Sequence, residues 1–188
     1  MENDMHNSNK AKPYFVSSTD APAFWHVDIL WFMLATGDQT AGQYSLMEEL
    51  CPKGSGAPPH IHEWQDEAFY IIEGEATFVV GEQTIKASTG AFVSIPRNTV
   101  HSFRVDTETA RVLNFYEPAG FEQVVMELGV PATTRTLPPL NLPEMNSHKV
   151  QELFKKYGMK TVDAPDILRE PPGEPTCLSS DSHRSARS

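Results

Sequence analysis

The chain has 188 residues, a formal net charge of −10, 39% hydrophobic residues and ten phenylalanines. This length suits one domain, and the apolar content is sufficient for one core. Nucleic acids and anionic membrane surfaces are bound by clustered Lys and Arg, which an acidic chain does not favour. We therefore expect neither nucleic acid nor membrane as a partner.

The cysteines and the N-terminal residues indicate in which cellular compartment the protein is expected. The two cysteines, Cys51 and Cys177, are far apart in sequence, which favours a reducing environment over a disulfide framework. The first residues are polar and lack the apolar region of a secretory signal. The most apolar run, Ile29–Ala35, is too short to cross a bilayer and predicts a buried strand. We expect a cytoplasmic protein.

The first two-thirds of the chain has the pattern of an all-β domain. Residues 1–13 are polar and predict a flexible tail. Residues 14–118 contain short apolar runs separated by glycine and proline turns roughly every eight to twelve residues, which is typical of a sandwich or barrel. Alternation along the strand that begins at His101 puts Phe103 on the same face and directs Arg104 outward.

The pattern becomes helical after this barrel, over residues 119–160. The first helix is indicated by apolar residues at helical spacing: Phe121, Val124, Val125 and Leu128. A second helix is predicted over residues 147–157, with Asn146 or Ser147 as its cap. Residues 161–188 are rich in Pro, Ser and charge, and predict a disordered tail.

Four residues form a candidate metal site. His60, His62 and Glu67 follow the pattern H-x-H-x4-E, and His101 lies on a later strand. Residues two apart on an extended segment point to the same face, so the two histidines converge. Imidazole and carboxylate ligands suit Ni, Fe, Co, Mn, Cu or Zn, and four protein ligands leave an open coordination position. We predict one divalent transition metal ion per chain.

The charge of this site indicates what it would bind. Three neutral imidazoles, one carboxylate and a divalent ion sum to about +1. Such a centre favours an anionic oxygen ligand, for instance an enolate or a phenolate. Trp64 lies in the loop between the ligands, where it could gate or merely shield the site.

The residues around the four ligands resemble the two sequence motifs of the cupin superfamily. The first motif, G-x5-H-x-H-x4-E-x6-G, is matched throughout, by Gly54, His60, His62, Glu67 and Gly74. The second motif, G-x5-P-x-G-x2-H-x3-N, is matched by Gly90, Pro96 and His101, with Asn98 and Val105 in place of Gly and Asn. The resemblance implies a jelly-roll barrel with a metal site. It also implies a homodimer, with the N-terminal strands as the contact.

A narrower resemblance is to the quercetin 2,3-dioxygenase-like group of cupins. It is carried by residues 66–83, residues 92–103 and the segment 118–121 that opens the first helix. The resemblance implies O2-dependent cleavage of a flavonol or another aromatic enol. Glu67 would then be both a metal ligand and the general base.

A flat apolar substrate requires aromatic residues that point into the barrel. The candidates are Phe69, Phe103, Tyr116, Tyr44 and Trp31, and ordinary core packing is the alternative for each.

Two other functions fit the same ligand set. One is a non-redox cyclase, isomerase or dehydratase of small-molecule metabolism. The other is a protein that binds a small ligand without turnover.

Overall fold

The chain is described by a computed structural model over residues 11–143, 145–166 and 168. Within these residues no helix is long and apolar enough to span a membrane. The elements are β1 (Ala23–His26), β2 (Ile29–Ala35), α1 (Gly37–Thr40), β3 (Ser45–Pro52), β4 (His60–His62), β5 (Asp66–Glu73), β6 (Glu75–Val80), β7 (Gln83–Ser88), β8 (Phe92–Ile95), β9 (His101–Val105), β10 (Thr109–Glu117), α2 (Glu122–Leu128), β11 (Val130–Pro131), α3 (Ser147–Lys156) and β12 (Met159–Thr161).

The strands form two antiparallel sheets. The larger sheet has the order β11-β1-β2-β3-β10-β5-β8, and the smaller has the order β12-β4-β9-β6-β7. Neighbours in these orders are often distant in sequence, as expected of a jelly roll. The predicted all-β jelly-roll fold with C-terminal helices is confirmed.

The core between the sheets is built by period-2 alternation. On β2, Trp31 and Met33 belong to this core, whereas Leu30 and Phe32 belong to a second cluster on the other side of the strand. The run Ile29–Ala35 is thus buried on both faces, as its composition predicts. The interior near β5, β6 and β9 is filled by three aromatic rings with centroids 5.1 to 5.6 Å apart: Phe69, Phe78 and Phe103.

The C-terminal segment joins both sheets, which the sequence pattern did not predict. β11 pairs with β1, and β12 pairs with β4. The predicted start of a disordered tail at residue 161 is therefore wrong, since Thr161 is the last residue of β12. Leu168 is also buried, and its carbonyl accepts a hydrogen bond from Arg104. Residues 1–10 and 169–188, which include most of the predicted tails, lie outside the described residues.

The capping prediction for the second C-terminal helix is confirmed. The Asn146 side chain accepts a hydrogen bond from the backbone N–H of Lys149, and α3 follows directly.

Arg104 is directed outward as predicted, and it forms an ion pair with Asp106 at 3.1 Å. Neither residue takes part in the metal cluster described below.

His26, at the end of β1, couples the stability of the fold to pH. Its side chain is buried beside Trp31, with ring centroids 6.4 Å apart, and its Nδ1 has no hydrogen-bond partner within the described residues. Burial lowers the pKa of His26 from 6.5 to about 4. The folded state keeps this imidazole neutral at pH values where the unfolded chain protonates it. Stability is therefore lost as pH falls from 6.5 towards 4.

We expect His26→Gln to reduce this loss. Between pH 7 and pH 5, the free energy of unfolding should fall by about 2 kcal/mol less in the variant than in the unsubstituted chain. Urea unfolding at the two pH values measures the difference. The exposed His148 supplies the matched control, because His148→Gln makes the same substitution at a histidine that is not buried. Equal losses in all three proteins would contradict the assignment to His26.

Candidate metal centre

The four predicted ligands meet between the two sheets. His60 and His62 lie on β4, and His101 lies opposite His60 on the neighbouring strand β9. Glu67 comes from β5 of the other sheet. The four residues are only 1 to 3% exposed, and one potential ligand atom from each lies within 4.8 Å of the others. Residues up to 41 positions apart in sequence thus form one cluster that could hold a metal ion.

Backbone carbonyls orient two of the imidazoles. Nδ1 of His60 lies 2.9 Å from the carbonyl oxygen of Pro58, and Nδ1 of His101 lies 2.9 Å from that of Thr99. A carbonyl oxygen can only accept, so each Nδ1 carries the hydrogen. Nε2 of each ring is then available to the cluster, an arrangement typical of metal-bound histidine.

His62 shows that a cation fits the cluster. It is 1% exposed, yet neither ring nitrogen has a hydrogen-bond partner among the described residues. The rings of Tyr116 and Phe121 pack edge-on against it, with centroids 5.1 and 4.9 Å away. A buried polar atom without a partner is costly. A metal ion at Nε2 would remove that cost.

The contact between His101 and Glu67 leads to the same conclusion. Nε2 of His101 lies 2.7 Å from Oε2 of Glu67, although Nδ1 already carries a hydrogen. Two atoms that only accept do not approach so closely unless a proton or a cation lies between them. In the absence of a metal, this contact outweighs the effect of burial and raises the pKa of His101.

The electrostatics of the other ligands favour the protonation states that bind a metal. Burial, together with the neighbouring His101, lowers the pKa of His60 to about 3, and burial also lowers the pKa of His62. Burial alone would raise the pKa of Glu67, but His62 and His101 outweigh it and hold the pKa below its usual range. Neutral imidazoles and an ionised carboxylate are the forms that bind metal ions.

The second carboxylate oxygen of Glu67 is held by two residues of β10. Oε1 accepts hydrogen bonds from the Tyr116 hydroxyl at 2.7 Å and from Nδ2 of Asn114 at 3.1 Å. From the sequence, Tyr116 is predicted to line the pocket, and no role is predicted for Asn114. A signal was present, because Asn114 interrupts an otherwise apolar inward face on β10 between Val112 and Tyr116.

Three of the other pocket candidates lie in the barrel interior. Phe69 and Phe103 belong to the aromatic cluster of the core, where each packs against Phe78. Trp31 is 7% exposed, and its indole N–H donates to the carbonyl of His26 at 3.3 Å. Their contacts are those of ordinary packing.

The prediction that Tyr44 points into the barrel is wrong. Tyr44 is 36% exposed and stacks on Phe115, with ring centroids 5.5 Å apart. Phe115 and Tyr116 are consecutive on β10, so their side chains point to opposite faces. Because Tyr116 faces the cluster, Tyr44 lies on the outer face of the sheet.

The C-terminal segment covers the cluster. Phe121, at the start of α2, packs on His62, and β12 pairs with the strand that carries both ligands. Trp64 is 49% exposed and lies directly over Gly158, where an added Cβ would come within 2.5 Å of the indole ring. Trp64 thus packs on the turn before β12, and its role as a gate or shield of the site stays a prediction.

Comparison with known proteins agrees with this architecture. Residues 46–116 match the model of the cupin domain. A quercetin 2,3-dioxygenase of Bacillus subtilis is 33% identical over 121 residues, which cover 64% of this chain and 36% of the relative. A quercetin 2,3-dioxygenase of Aspergillus japonicus is 30% identical over 117 residues, covering 58% of this chain and 33% of the relative. The chain thus spans about a third of the length of these curated relatives.

Solved structures support the fold alone. KdgF from Halomonas sp. superimposes with a TM-score of 0.52 at 16% identity, covering 59% of this chain and 99% of that one. A predicted oxalate decarboxylase from Thermotoga maritima gives a TM-score of 0.53 at 17% identity, covering 56% and 99%. Both are matched over nearly their whole length.

The jelly roll and its buried cluster of three histidines and one glutamate define the class of protein as a cupin. The domain at residues 46–116 is similar to quercetin 2,3-dioxygenases, and the described residues contain one cupin barrel.

Proposed function

We propose that the protein is a metal-dependent dioxygenase that cleaves a flavonol-like or other aromatic enol substrate with O2. His60, His62, Glu67 and His101 would hold one divalent transition metal ion. The observation that carries the proposal is the buried cluster of these four side chains on a domain similar to quercetin 2,3-dioxygenases.

Charge supports an enolate as the bound form of the substrate. The four ligands and a divalent ion sum to about +1, in a site whose ligands are almost fully buried. When bound, the metal would act as a Lewis acid that lowers the pKa of the substrate hydroxyl. The first step of the proposed reaction is then the loss of one proton from the enol.

In this proposal Glu67 accepts that proton. Two donors, Tyr116 and Asn114, occupy the lone pairs of Oε1. Oε2 would therefore be the oxygen left to hold the metal and to accept the substrate proton. A general base within hydrogen-bond reach of the hydroxyl contributes about 10²- to 10⁴-fold to such a step.

The test combines elemental analysis with oxygen uptake on a panel of flavonols and related enols. The proposal predicts about one equivalent of a transition metal per chain, and O2 consumption that disappears when the metal is removed. Substrate conversion without O2 consumption would instead support a cyclase, isomerase or dehydratase that uses the same Lewis acid and base. Tight binding of an enol without conversion would support a binding protein.

A further inference from the structure

The metal cluster is covered on one side by a short segment, residues 158–162, which is called the strap below. The strap begins at Gly158, whose φ of +75° favours glycine, and it contains β12. β12 pairs with His60–His62, so it covers the outer edge of the strand that carries two candidate ligands. Because each of the four candidate ligands is only 1 to 3% exposed, an ion or a substrate reaches the cluster only when some part of its cover moves.

Met159 of the strap lies directly beside the cluster. It is opposite His62 in the register, and residues paired in this way point to the same face of the sheet. Met159 is 7% exposed and belongs to the core between the sheets, so that face is the barrel interior. If the strap lifts, this side chain is withdrawn and space opens next to His62.

The strap is held by fewer contacts than the strands around the cluster. Within the described residues, β5, β9 and β10 each pair with a strand on both sides, whereas β12 is three residues long and pairs with β4 alone. At one end of the strap the Glu63 N–H donates to the Gly158 carbonyl at 2.7 Å. At the other end the Val162 N–H donates to the Pro59 carbonyl at 3.0 Å. The ion pair of Lys160 with Glu63 joins partly exposed side chains, and such pairs contribute little. A segment with so few contacts is expected to open locally.

Phe121, which also packs on His62, has a firmer support. The next residue, Glu122, is 1% exposed and accepts hydrogen bonds from the backbone N–H groups of Gly37 at 2.9 Å and Gly120 at 2.6 Å. Hydrogen bonds from backbone N–H groups to a buried carboxylate are strong, so they hold the start of α2 in place. Of the two covers, the strap is therefore the one expected to move.

We propose that the strap is a gate of the metal centre, which lifts from β4 about Gly158 to admit the ion and the substrate and is held closed by Trp64. The indole ring of Trp64 lies over Gly158, where an added Cβ would come within 2.5 Å of it. Trp64 is 49% exposed, so it can leave this position without disturbing the core. The strap remains attached at both ends, to α3 before it and to Leu168 after it, whose carbonyl accepts from Arg104 at 2.6 Å. The statement about the substrate rests on the proposed function; the statement about the ion requires only metal binding.

The first experiment locks the strap with a disulfide and measures the rate of Co²⁺ uptake by the metal-free protein. Ile61 and Lys160 are opposite each other on β4 and β12, at the short Cα separation of an antiparallel pair, which a disulfide can bridge. The variant carries Ile61→Cys and Lys160→Cys on a Cys177→Ser background. Its oxidised form should take up Co²⁺ at least about tenfold more slowly than its reduced form, because local opening is blocked. Reduction with a phosphine should restore the rate.

The matched control is a disulfide elsewhere on the same sheet. Val79 and Thr84 pair in register on β6 and β7, so Val79→Cys with Thr84→Cys forms an equivalent bond on the same background. Its oxidation should leave the rate of uptake unchanged. If the oxidised strap variant took up Co²⁺ as fast as the oxidised control, the proposal would be overturned. Equal slowing of both would overturn it as well, because the effect would then not come from the strap.

Trp64→Ala keeps the test decisive if the strap disulfide does not form. Loss of the indole should raise the rate of Co²⁺ uptake by about two- to tenfold, the effect expected from one aromatic contact. Phe92→Ala is the control, because it removes an exposed aromatic ring from β8 of the other sheet. Equal rates in the two variants would overturn the proposal.

Turnover tests the passage of the substrate separately. Where O2 uptake on an enol is found, oxidation of the strap variant after it has bound its metal should stop that uptake, and reduction should restore it. The rate of Co²⁺ uptake requires no turnover. An absence of dioxygenase activity would therefore contradict the proposed function only, and an unchanged rate of Co²⁺ uptake would contradict the gate only.

Discussion

Glu67→Gln should reduce the turnover of the metal-loaded protein by about a thousandfold, within the range for loss of a general base. The amide retains the shape of the side chain and an oxygen for Tyr116 or the metal, but it cannot accept the substrate proton. Its NH2 group would also meet Nδ2 of Asn114 or Nε2 of His101, both of which now face carboxylate oxygens. Steady-state oxygen uptake at saturating substrate measures the effect.

Glu63→Gln is the matched control for this substitution. Glu63 lies four residues earlier, outside the cluster, and forms an ion pair with Lys160 at 2.6 Å. The same chemical change there should leave turnover unaltered. If Glu67→Gln retained the activity of this control, the proposed base would be excluded, whatever the metal content of the two proteins.

Metal binding should produce the largest change in stability. Without an ion, the ring nitrogens of the buried His62 have no hydrogen-bond partner among the described residues, and His101 must take up a proton beside Glu67. An ion that binds only the folded state, present at 100 times its Kd, adds about 2.7 kcal/mol to the free energy of unfolding. For a chain of this size, that raises Tm by about 5 to 10 °C. Thermal unfolding of chelated and reloaded protein measures the shift.

Two histidine variants show whether the shift belongs to the cluster. His62→Gln should abolish most of the rise in Tm, because it removes one ligand. His148→Gln should keep it, because His148 is exposed on α3, apart from the cluster. An equal rise in both variants would indicate binding elsewhere on this acidic chain.

The ligand set and the strands could be predicted because their signals are local. His60 and His62 share a face through the two-residue period of an extended chain, and turns mark where strands end. The helix at Ser147–Lys156 was predicted from its apolar spacing and its Asn146 cap in the same way. None of these inferences depends on which strand pairs with which.

The short strand Met159–Thr161 could not be predicted in this way. It is three residues long, directly follows a helix, and becomes a strand by pairing with His60–His62. That partner lies about 100 residues earlier in the chain. Pairing of this kind depends on the closure of the whole barrel, which leaves no periodic pattern in so short a segment.

Tyr44 shows how the tertiary structure reversed a local expectation. An apolar residue next to a strand is expected to face the core, but here the inward face of β3 carries Ser45 and Glu49, and Tyr44 lies outside. Hydrophobic alternation predicts the buried face only where the interior is apolar. The interior here also contains buried polar groups, among them the Ser45 hydroxyl and the Glu49 carboxyl group.

The jelly-roll class and the four candidate ligands can be read from the sequence, because periodicity and motif spacing are properties of neighbouring residues. The folded structure was needed to show that Asn114 and Tyr116 hold one oxygen of Glu67 and that Phe121 packs on His62. These contacts join strands and helices far apart in the chain. They exist only once the two sheets have closed around a shared interior.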